Sequence, residues 1–450
     1  VITMRLSEVA AAVGGRLHGP DVLVSGAAYV DSRAAVLGGL FVAVVGERVD
    51  GHLHADGAHA VLGSRPTSAP TVVVDDVTVA LGRLARRVVG TLDVPVLAVT
   101  GSQGKTGTKD YLAHLLGPTA VATRANNNNE LGVPLSVLRA DETTTHLVLE
   151  MGARGIGHLA YLCEIAPPTV SAVLNVGTAH VGEFGGVEAI AAAKGELVEA
   201  LDEHGTAVLN ADDHRVAAMA SRTRGQVLTF GGTGDVRWRD VTLDALGRAT
   251  FELGHAGSWT RVTLRQTGAH QVANAAAAAA MALAVGVPLE AVGERLSTAE
   301  AASRWRMELA ERADGLLVLN DAYNANPASM RAALDALRAL GRDRAGRTVA
   351  VLGEMKELGG EHDAGHLEVG RATAGVDVVV VVGDAAAGIA EGARSAGVRE
   401  VIVTAGRDDA LAWVRKNARA GDAVLVKASR AAALEVLAAA LIDDGEGHAR

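Results

Sequence analysis

The most restrictive feature of this chain is a junction near residue 100. Val96-Leu97-Ala98-Val99-Thr100 runs directly into Gly101-Ser102-Gln103-Gly104-Lys105-Thr106, and a helical pattern opens at Lys105. An uncharged run of strand length followed by a glycine-bearing loop and a helix start implies a buried strand whose carboxyl end turns into a helix N-terminus. Such a turn offers backbone N–H groups and the positive end of the helix dipole to a phosphate, while lysine adds a point charge and threonine a hydroxyl for Mg²⁺. Val99 stands where the strict G-x-x-x-x-G-K-[ST] pattern requires its first glycine. Gly107 falls in the first helical turn, where it costs about 1 kcal/mol of helix propensity relative to alanine.

The alternation of strand, loop and helix continues from this junction. Strands are expected at 96–100, 145–150, 170–176 and 206–209, with helices starting at Lys105, Gly157, 189 and Asp213. That pattern predicts a parallel sheet covered on both faces. Residues 236–265 alternate apolar and polar without a helix, which reads as an antiparallel insertion before the alanine-rich helix at 272–287. A second alternating series places strands at 316–319, 348–352, 376–382, 400–403 and 423–426. Five βα units of this kind form a Rossmann-like domain whose ligands bind where strands end.

The first ninety residues differ, with a helix at 7–13, strands at 22–30, 40–45 and 71–74, and a helix at 79–90 leading to Asp93-Val94-Pro95. The expected fold class is therefore α/β in three domains, at 1–95, 96–307 and 308–450. A cleft between the second and third is the natural place for a reaction.

Composition narrows the function classes. Lys+Arg number 42 against 52 Asp+Glu, a formal charge of −10, and no basic stripe appears, so a nucleic-acid coat is excluded. The single cysteine, Cys163, admits no intrachain disulfide and fits a reducing compartment. The segment 272–287 is too rich in alanine to span a bilayer, and no signal-peptide pattern is visible, so a cytoplasmic protein without membrane insertion is expected. Only six of the 42 basic residues are lysine: Lys105, Lys109, Lys194, Lys356, Lys416 and Lys427. In so arginine-biased a chain each lysine merits locating.

Several polar groups fall at predicted strand ends on the phosphate-loop side. Glu150 ends the 145–150 strand, and Asn175 and His180 follow the 170–176 strand. Singly, each reads as a helix cap or a loop histidine; jointly, Glu150 and His180 suit a nucleotide's metal. Lys194 is anomalous there, because an ammonium repels Mg²⁺. It either pairs with Glu196, extends its stem along the helix, or is chemically modified into an anion.

The loop Asn126-Asn127-Asn128-Asn129-Glu130 is either a polar ligand site or low-complexity filler. Asp321-Ala322-Tyr323-Asn324-Ala325-Asn326-Pro327 follows a buried strand and precedes a helix at 328–340, either as a ligand loop or as a well-capped turn. Lys427-Ala428-Ser429-Arg430, after the last strand, would hold an anion or simply solvate the sheet edge.

Taken together, these segments resemble the Mur ligase superfamily across essentially the whole chain. The telling pieces are Asn175 to Gly185, Ala193-Lys194-Gly195-Glu196-Leu197, Leu209 to Asp213, Asp321 to Pro327 and Leu352 to Gly359. The Asp321–Pro327 segment points to the branch that joins D-alanyl-D-alanine to UDP-N-acetylmuramoyl-tripeptide. Gly39 to Ala43 and Asp50-Gly51-His52 resemble a uridine-nucleotide domain.

The resemblance implies an N-terminal uridine-nucleotide-binding domain, a central ATPase sheet and a C-terminal ligase domain. It implies a cytoplasmic, monomeric amide ligase using ATP and two Mg²⁺ ions, acting through an acyl phosphate in peptidoglycan precursor synthesis. Gly101, Ser102, Gln103, Gly104, Lys105, Thr106 and Gly107 would cradle the ATP phosphates, with Asn274, Arg306, Asp321 and Tyr323 completing the nucleotide site. Lys105, His180 and Lys194 would be catalytic. Thr106 and Glu150 would hold one metal, and His180 with a carbamylated Lys194 the second. Ser32 and Arg33 would take the uridine end of the substrate, and Asn128, Asn129, Asn324, Asn326 and Lys427 its peptide parts. Gly107 in place of Ser or Thr, Ala428 in place of Gly, and the choice of Arg306 over Arg304 as hinge arginine are departures or ambiguities. A related ligase with another peptide substrate, or a non-catalytic nucleotide-binding protein, would carry much of the same pattern.

Overall fold

The computed structural model describes residues 1–46, 49–177, 186–342 and 344–443. Its three larger α/β layers follow one another along the chain. The first is a five-stranded mixed sheet in the order Arg16–His18, Thr71–Val73, Ala60–Gly63, Leu40–Val42, Ala28–Tyr29. Leu6, Val9 and Val13 on the helix Leu6–Val13 and Leu81, Leu84 and Val88 on the helix Val77–Leu92 form apolar stripes at helical spacing and bury against it. Asp76 caps the longer helix, accepting from the N–H groups of Thr78 and Val79.

The strand predicted at 22–30 is divided into Leu23–Val24 and Ala28–Tyr29. The break has a steric cause: Gly26 donates its N–H to Gly38 O, and a Cβ at Gly26 would lie 2.3 Å from Leu37 O. The strand Ala60–Gly63 was not expected, because its short apolar run lacks β-branched residues apart from Val61.

The central sheet is six-stranded and parallel, in the order Gln226–Phe230, Thr206–Asn210, Val170–Val173, Val96–Thr100, His146–Glu150, Ala120–Ala122. The strand preceding the phosphate loop is inner, fully buried, and flanked by strands that the chain reaches on opposite sides. That is the topological switch point, where the carboxyl ends of parallel strands open a crevice. The strand predicted to reach 176 stops at Val173, and Asn175 turns toward the phosphate loop.

The insertion is a three-stranded antiparallel sheet, Arg237–Leu243, Arg248–His255 and Ser258–Thr267. Its second hairpin turns on Ala256 and Gly257, both with positive φ, as a two-residue hairpin loop requires. The helix Gln271–Ala284 follows, with Ala275 to Ala282 buried; its small side chains let it pack closely on the phosphate-loop helix Lys105–Leu116.

The third layer is a six-stranded sheet in the order Glu308–Glu311, Leu317–Asn320, Ala423–Lys427, Thr348–Gly353, Val378–Val382, Glu400–Thr404. Five of these strands are parallel, and Glu308–Glu311 is an antiparallel edge that the sequence pattern did not announce. With two charged residues among four, that strand reads as a loop until its partner is known. Among the described residues, no helix is long and apolar enough to cross a membrane.

Candidate active site

The helix Lys105–Leu116 begins at Gly104, which has φ 80° and supplies no side-chain cap. The first-turn N–H groups are therefore left for a ligand rather than for a capping oxygen. Asn175 sets the shape of the loop ahead of them. Its Oδ1 accepts from Gln103 N at 2.9 Å and its Nδ2 donates to Gln103 O at 3.2 Å, while Ser102 Oγ accepts from Gly177 N at 2.9 Å. Lys105 Nζ donates to Gly101 O at 2.7 Å, folding the side chain back over the loop. Burial lowers the pKa of this ammonium, opposed by the charge of Glu150.

The glycines of the loop have a further reason to be glycine. A Cβ on Gly104 would lie 2.4 Å from Asn274 Oδ1, and one on Gly107 3.1 Å from Asn274 Nδ2. Asn274, on the alanine-rich helix, thus fits against the phosphate-loop helix where Gly107 leaves room, and Gln271 Oε1 accepts from its Nδ2 at 3.0 Å.

Thr106 and Glu150 meet across the switch point. Thr106 Oγ1 donates to Glu150 Oε2 at 2.8 Å, and Asn128 Nδ2 donates to Glu150 Oε1 at 2.8 Å. Both Thr106 and Glu150 are buried, and Glu150 N donates to Thr123 Oγ1, fixing the end of its strand. A hydroxyl and a carboxylate side by side at a phosphate loop are hard oxygen donors of the kind Mg²⁺ accepts, the remaining positions going to water and substrate phosphate. Among the described residues no group of three His, Cys, Asp or Glu gathers as a metal centre, here or elsewhere. His180 lies outside the described residues.

Lys194 is buried on the helix Val187–Glu199, and among the described residues no carboxylate pairs with it. Burial, helped by the nearby charge of Lys105, lowers its pKa to about 7. Of the alternatives the sequence left open, the pairing with Glu196 does not form. Two residues apart on a helix, the side chains diverge, and Glu196 instead accepts from Gly157 N at 2.5 Å and Ala160 N at 3.0 Å, capping the helix His158–Ile165. Beside Lys194, Gly195 packs against the Arg222 guanidinium, which donates to Ala191 O and Ala192 O of the same helix.

Opposite these groups stands the loop after the strand Leu317–Asn320. Tyr323 carries the Arg306 guanidinium over its ring at 4.0 Å, and burial raises the phenol's pKa. Lys427 is not an edge group, since its strand is an inner one, and its charge is already paired. It is buried, with Nζ donating to Asp321 Oδ2 at 2.5 Å and to Asn324 O at 2.8 Å. Asp321 Oδ1 in turn accepts from Met307 N at 3.1 Å. The pair therefore ties the interdomain segment to the third sheet, while Lys427 also lines the cavity described below.

Three more of the expected site residues have partners of their own. Asn129 Oδ1 accepts from Leu131 N and Gly132 N, so it caps the helix Gly132–Val137 and does not line the cavity. Asn326 caps the helix Pro327–Gly341 by accepting from Ser329 N, although it also borders the cavity. Arg33 is held by Asp31 in the first layer, away from these groups, with Nη2 donating to Asp31 Oδ2 at 2.7 Å beside the short turn containing Ser32.

A cavity of about 470 Å³ unites the two walls. Lys105, Thr106, Glu150, Asn128 and Lys194 line it from the central sheet, and Arg306, Asp321, Tyr323, Asn324 and Asn326 from the segment leading into and through the third. Asn175, placed at a strand end by the sequence but given no role there, also lines it, as do Gln271, Arg154 and Glu357, which were not among the expected site residues. Glu357 lies in the recognisable 352–359 segment, but a Lys-Glu pair in a polar loop carries no signal of its own.

A parallel sheet with a phosphate loop, an antiparallel insertion and a third α/β layer closing on the loop defines the Mur ligase class. The Mur ligase middle domain matches residues 99–282, and the Mur ligase, glutamate ligase domain matches residues 305–430. The UDP-N-acetylmuramoyl-tripeptide–D-alanyl-D-alanine ligase of Mycobacterium tuberculosis (strain ATCC 25618 / H37Rv) is 42% identical, over 99% of this chain and 98% of its own. Its counterpart in Escherichia coli (strain K12) is 34% identical over 99% of this chain and its whole length. Among solved structures, MurF from Acinetobacter baumannii superposes with TM-score 0.87 at 32% identity, covering 98% of this chain and all of that one. MurF from Thermotoga maritima in complex with ADP gives TM-score 0.81 at 31% identity, covering 95% and 99%. The chain belongs to the Mur ligase family, in its UDP-N-acetylmuramoyl-tripeptide–D-alanyl-D-alanine ligase branch.

Proposed function

We propose that this protein uses ATP to join D-alanyl-D-alanine to UDP-N-acetylmuramoyl-tripeptide in peptidoglycan synthesis. The observation that carries this reading is the single cavity bounded by the phosphate loop on one side and the Asp321–Pro327 loop on the other. An amide ligase needs both walls, one to activate a carboxylate and one to bring the amine.

The terminal carboxylate of the tripeptide attacks the γ-phosphorus of ATP, forming a C–O–P linkage as the bond to ADP breaks. The dipeptide ammonium loses one proton to become the free amine, which attacks the acyl carbon; the tetrahedral intermediate expels inorganic phosphate as nitrogen loses a second proton to solvent and keeps one as the amide N–H. Lys105 and the first-turn N–H groups offset the charge on the transferring phosphoryl group. Arg306 and Tyr323, stacked on one another, border the nucleotide from the interdomain side. Asn324 and Asn326 border the peptide end, and Ser32 and Arg33 are assigned to the uridine end. Burial of the cavity walls strengthens each of these interactions by excluding water.

Thr106 and Glu150 would hold Mg²⁺, which screens the phosphate charges when bound. Lys194, buried and readily deprotonated, is the residue suited to carbamylation, since CO₂ adds to a neutral amine; His180 is assigned beside it as a second metal ligand. Both walls of the cavity come from one chain, which favours a monomer, and the use of ATP favours the cytoplasm.

The test is a coupled phosphate-release assay with ATP, UDP-N-acetylmuramoyl-tripeptide and D-alanyl-D-alanine. Phosphate should appear only with all three present, together with a pentapeptide product. Release that does not depend on the dipeptide overturns the reading, and turnover with other amino acids or peptides in its place reassigns the substrate.

A further inference from the structure

Two bulky residues of the interdomain segment hold the left-handed backbone conformation, Trp305 at φ 60° and Met307 at φ 54°. One such residue that is not glycine is uncommon, and each carries strain that persists only where the surroundings enforce it. Arg306 lies between them, and its guanidinium rests over the Tyr323 ring at 4.0 Å on the cavity wall. The strain accompanies the direction in which Arg306 leaves the chain. That direction matters at the phosphate loop: the Lys105 ammonium is disfavoured chiefly by burial, the charge of Glu150 opposes this, and the charge of Arg306 adds to it. The cavity wall takes Arg306 and not Arg304.

The strained segment is held from the third layer. Trp305 O accepts from Tyr323 N at 3.1 Å, Trp305 N donates to Glu308 Oε2 at 3.0 Å, and Met307 N donates to Asp321 Oδ1 at 3.1 Å. Met307 is buried in the core of that layer. Upstream, Glu300, Ala301 and Ala302 are exposed.

The Trp305 ring has an anchor of its own. Arg430, which follows the strand Ala423–Lys427, places its guanidinium over the indole at 4.5 Å and pairs with Glu435, a buried carboxylate on the helix Glu435–Asp443. A guanidinium oriented by a carboxylate and laid on an aromatic face makes a directional contact, because its plane and its charge both match the ring. Neither Trp305 nor Arg430 lines the cavity, so an effect of either on a nucleotide there passes through Arg306.

Resting on the reading of the cavity as an ATP site, we propose that Trp305, held by Arg430, is a positioning residue that fixes the backbone so that Arg306 is presented to the ATP phosphates. Arg430 thereby acts on the nucleotide from behind the wall, and Arg306 is carried as part of the third layer. A ring that only filled space would affect stability and leave the response to ATP unchanged.

The test measures the KM for ATP, the KM for D-alanyl-D-alanine and the denaturant midpoint in Trp305→Gly, Trp305→Phe, Arg430→Gln and Arg306→Ala, and in the double variant of Trp305→Gly with Arg306→Ala. Glycine accepts a positive φ without strain, so Trp305→Gly removes the ring while leaving the turn available. Its KM for ATP should rise about 5- to 15-fold, the loss of one preorganised arginine. Arg430→Gln should raise it about 2- to 5-fold, the worth of an exposed cation–π contact, and Arg306→Ala about tenfold or more. The dipeptide KM should stay within about twofold throughout. Trp305→Phe keeps a ring for Arg430 and should recover most of the ATP affinity. Added to Arg306→Ala, Trp305→Gly should change the ATP KM by less than about twofold, because the residue through which it acts is gone. An ATP KM unchanged in Trp305→Gly, an equal loss in Trp305→Phe, or losses that multiply in the double variant each overturns the proposal, whatever the midpoints do. Failure of the ligase reading is separately visible as an absence of dipeptide-dependent phosphate release by the unaltered protein, and calorimetric ATP affinities of the same variants then decide the role of Trp305.

Discussion

Thr106 and Glu150 stand 44 residues apart in the chain and share a buried hydrogen bond of 2.8 Å, with Thr106 Oγ1 donating to Glu150 Oε2. Adjacent parallel strands bring them together, since Glu150 lies level with Val99, just before the phosphate loop. Replacing Thr106 by valine removes one oxygen donor and leaves Glu150 Oε2 without its hydroxyl partner. Activity at limiting Mg²⁺ should fall on the order of 10- to 100-fold, with a rightward shift of the Mg²⁺ titration. A variant with an unshifted titration would separate Thr106 from the metal.

The Lys427–Asp321 pair is almost completely buried, with side chains 2% and 13% exposed. Breaking one side of such a pair leaves an uncompensated charge, so Lys427→Met should cost roughly 3–5 kcal/mol of stability. The double variant Lys427→Met with Asp321→Asn should cost less than the sum of its parts. Denaturant midpoints for the single and double variants check this, and additive losses would show that the two residues act independently.

His366 provides a pH prediction. Its Nδ1 lies 2.7 Å from His362 O, and its Nε2 accepts from Met355 N, an arrangement that suits the neutral ring. Burial lowers its pKa, with the backbone of His362 and the carboxylates of Glu354 and Asp363 opposing and the His362 ring assisting. Because the folded value lies below the unfolded one of about 6.5, the group contributes stability above that pH and loses it as pH falls through the folded value. The denaturant midpoint should therefore decline on acidification below about pH 6.5, and less steeply in His366→Gln. Equal slopes in the two proteins would remove His366 from the explanation.

Cys163 is buried, and burial, reinforced by the charge of Glu196, pushes its thiol up to about 12. Only the thiolate alkylates readily, so iodoacetamide should leave the folded protein unlabelled at neutral pH and label it on unfolding. Mass spectrometry at increasing denaturant would show labelling that tracks the unfolding transition. Rapid labelling in native buffer would contradict the packing described for the helix His158–Ile165.

Gly195 and Arg222 constrain the helix that carries Lys194. An added methyl group at Gly195 would collide with a guanidinium held by Ala191 O, Ala192 O and Glu199. Gly195→Ala should lower activity with a smaller effect on stability, read as a reduced kcat beside an unfolding free energy lowered by about 1–3 kcal/mol. Unaltered kcat would show that the helix accommodates the change.

Much of this molecule is legible along the chain because its signals are local. Uncharged strand-length runs such as Val96 to Thr100 and Val378 to Val382 can be satisfied only inside a covered parallel sheet, and Gly104 before Lys105 marks a helix N-terminus open to phosphate. Three α/β layers, the phosphate loop and the candidate roles of Lys105, Thr106 and Glu150 follow from such patterns.

Side-chain partnerships were not legible, because they depend on which strand ends become neighbours. Lys427 looked like an exposed cation until the adjoining strand brought Asp321 against it; Glu196 looked like a partner for Lys194 until the helix His158–Ile165 presented its open N–H groups. Asn129 looked like a ligand group and serves as a cap. Glu357 is the clearest case. Its sequence neighbourhood reads as a polar loop, and only the anchoring of Met355 by His366, 11 residues on, and of Lys356 by Ser429, 73 residues on, fixes the loop that places it on the cavity wall. Local patterning determined which elements this chain forms; long-range packing alone decided which of its polar groups meet one another and which line the cavity.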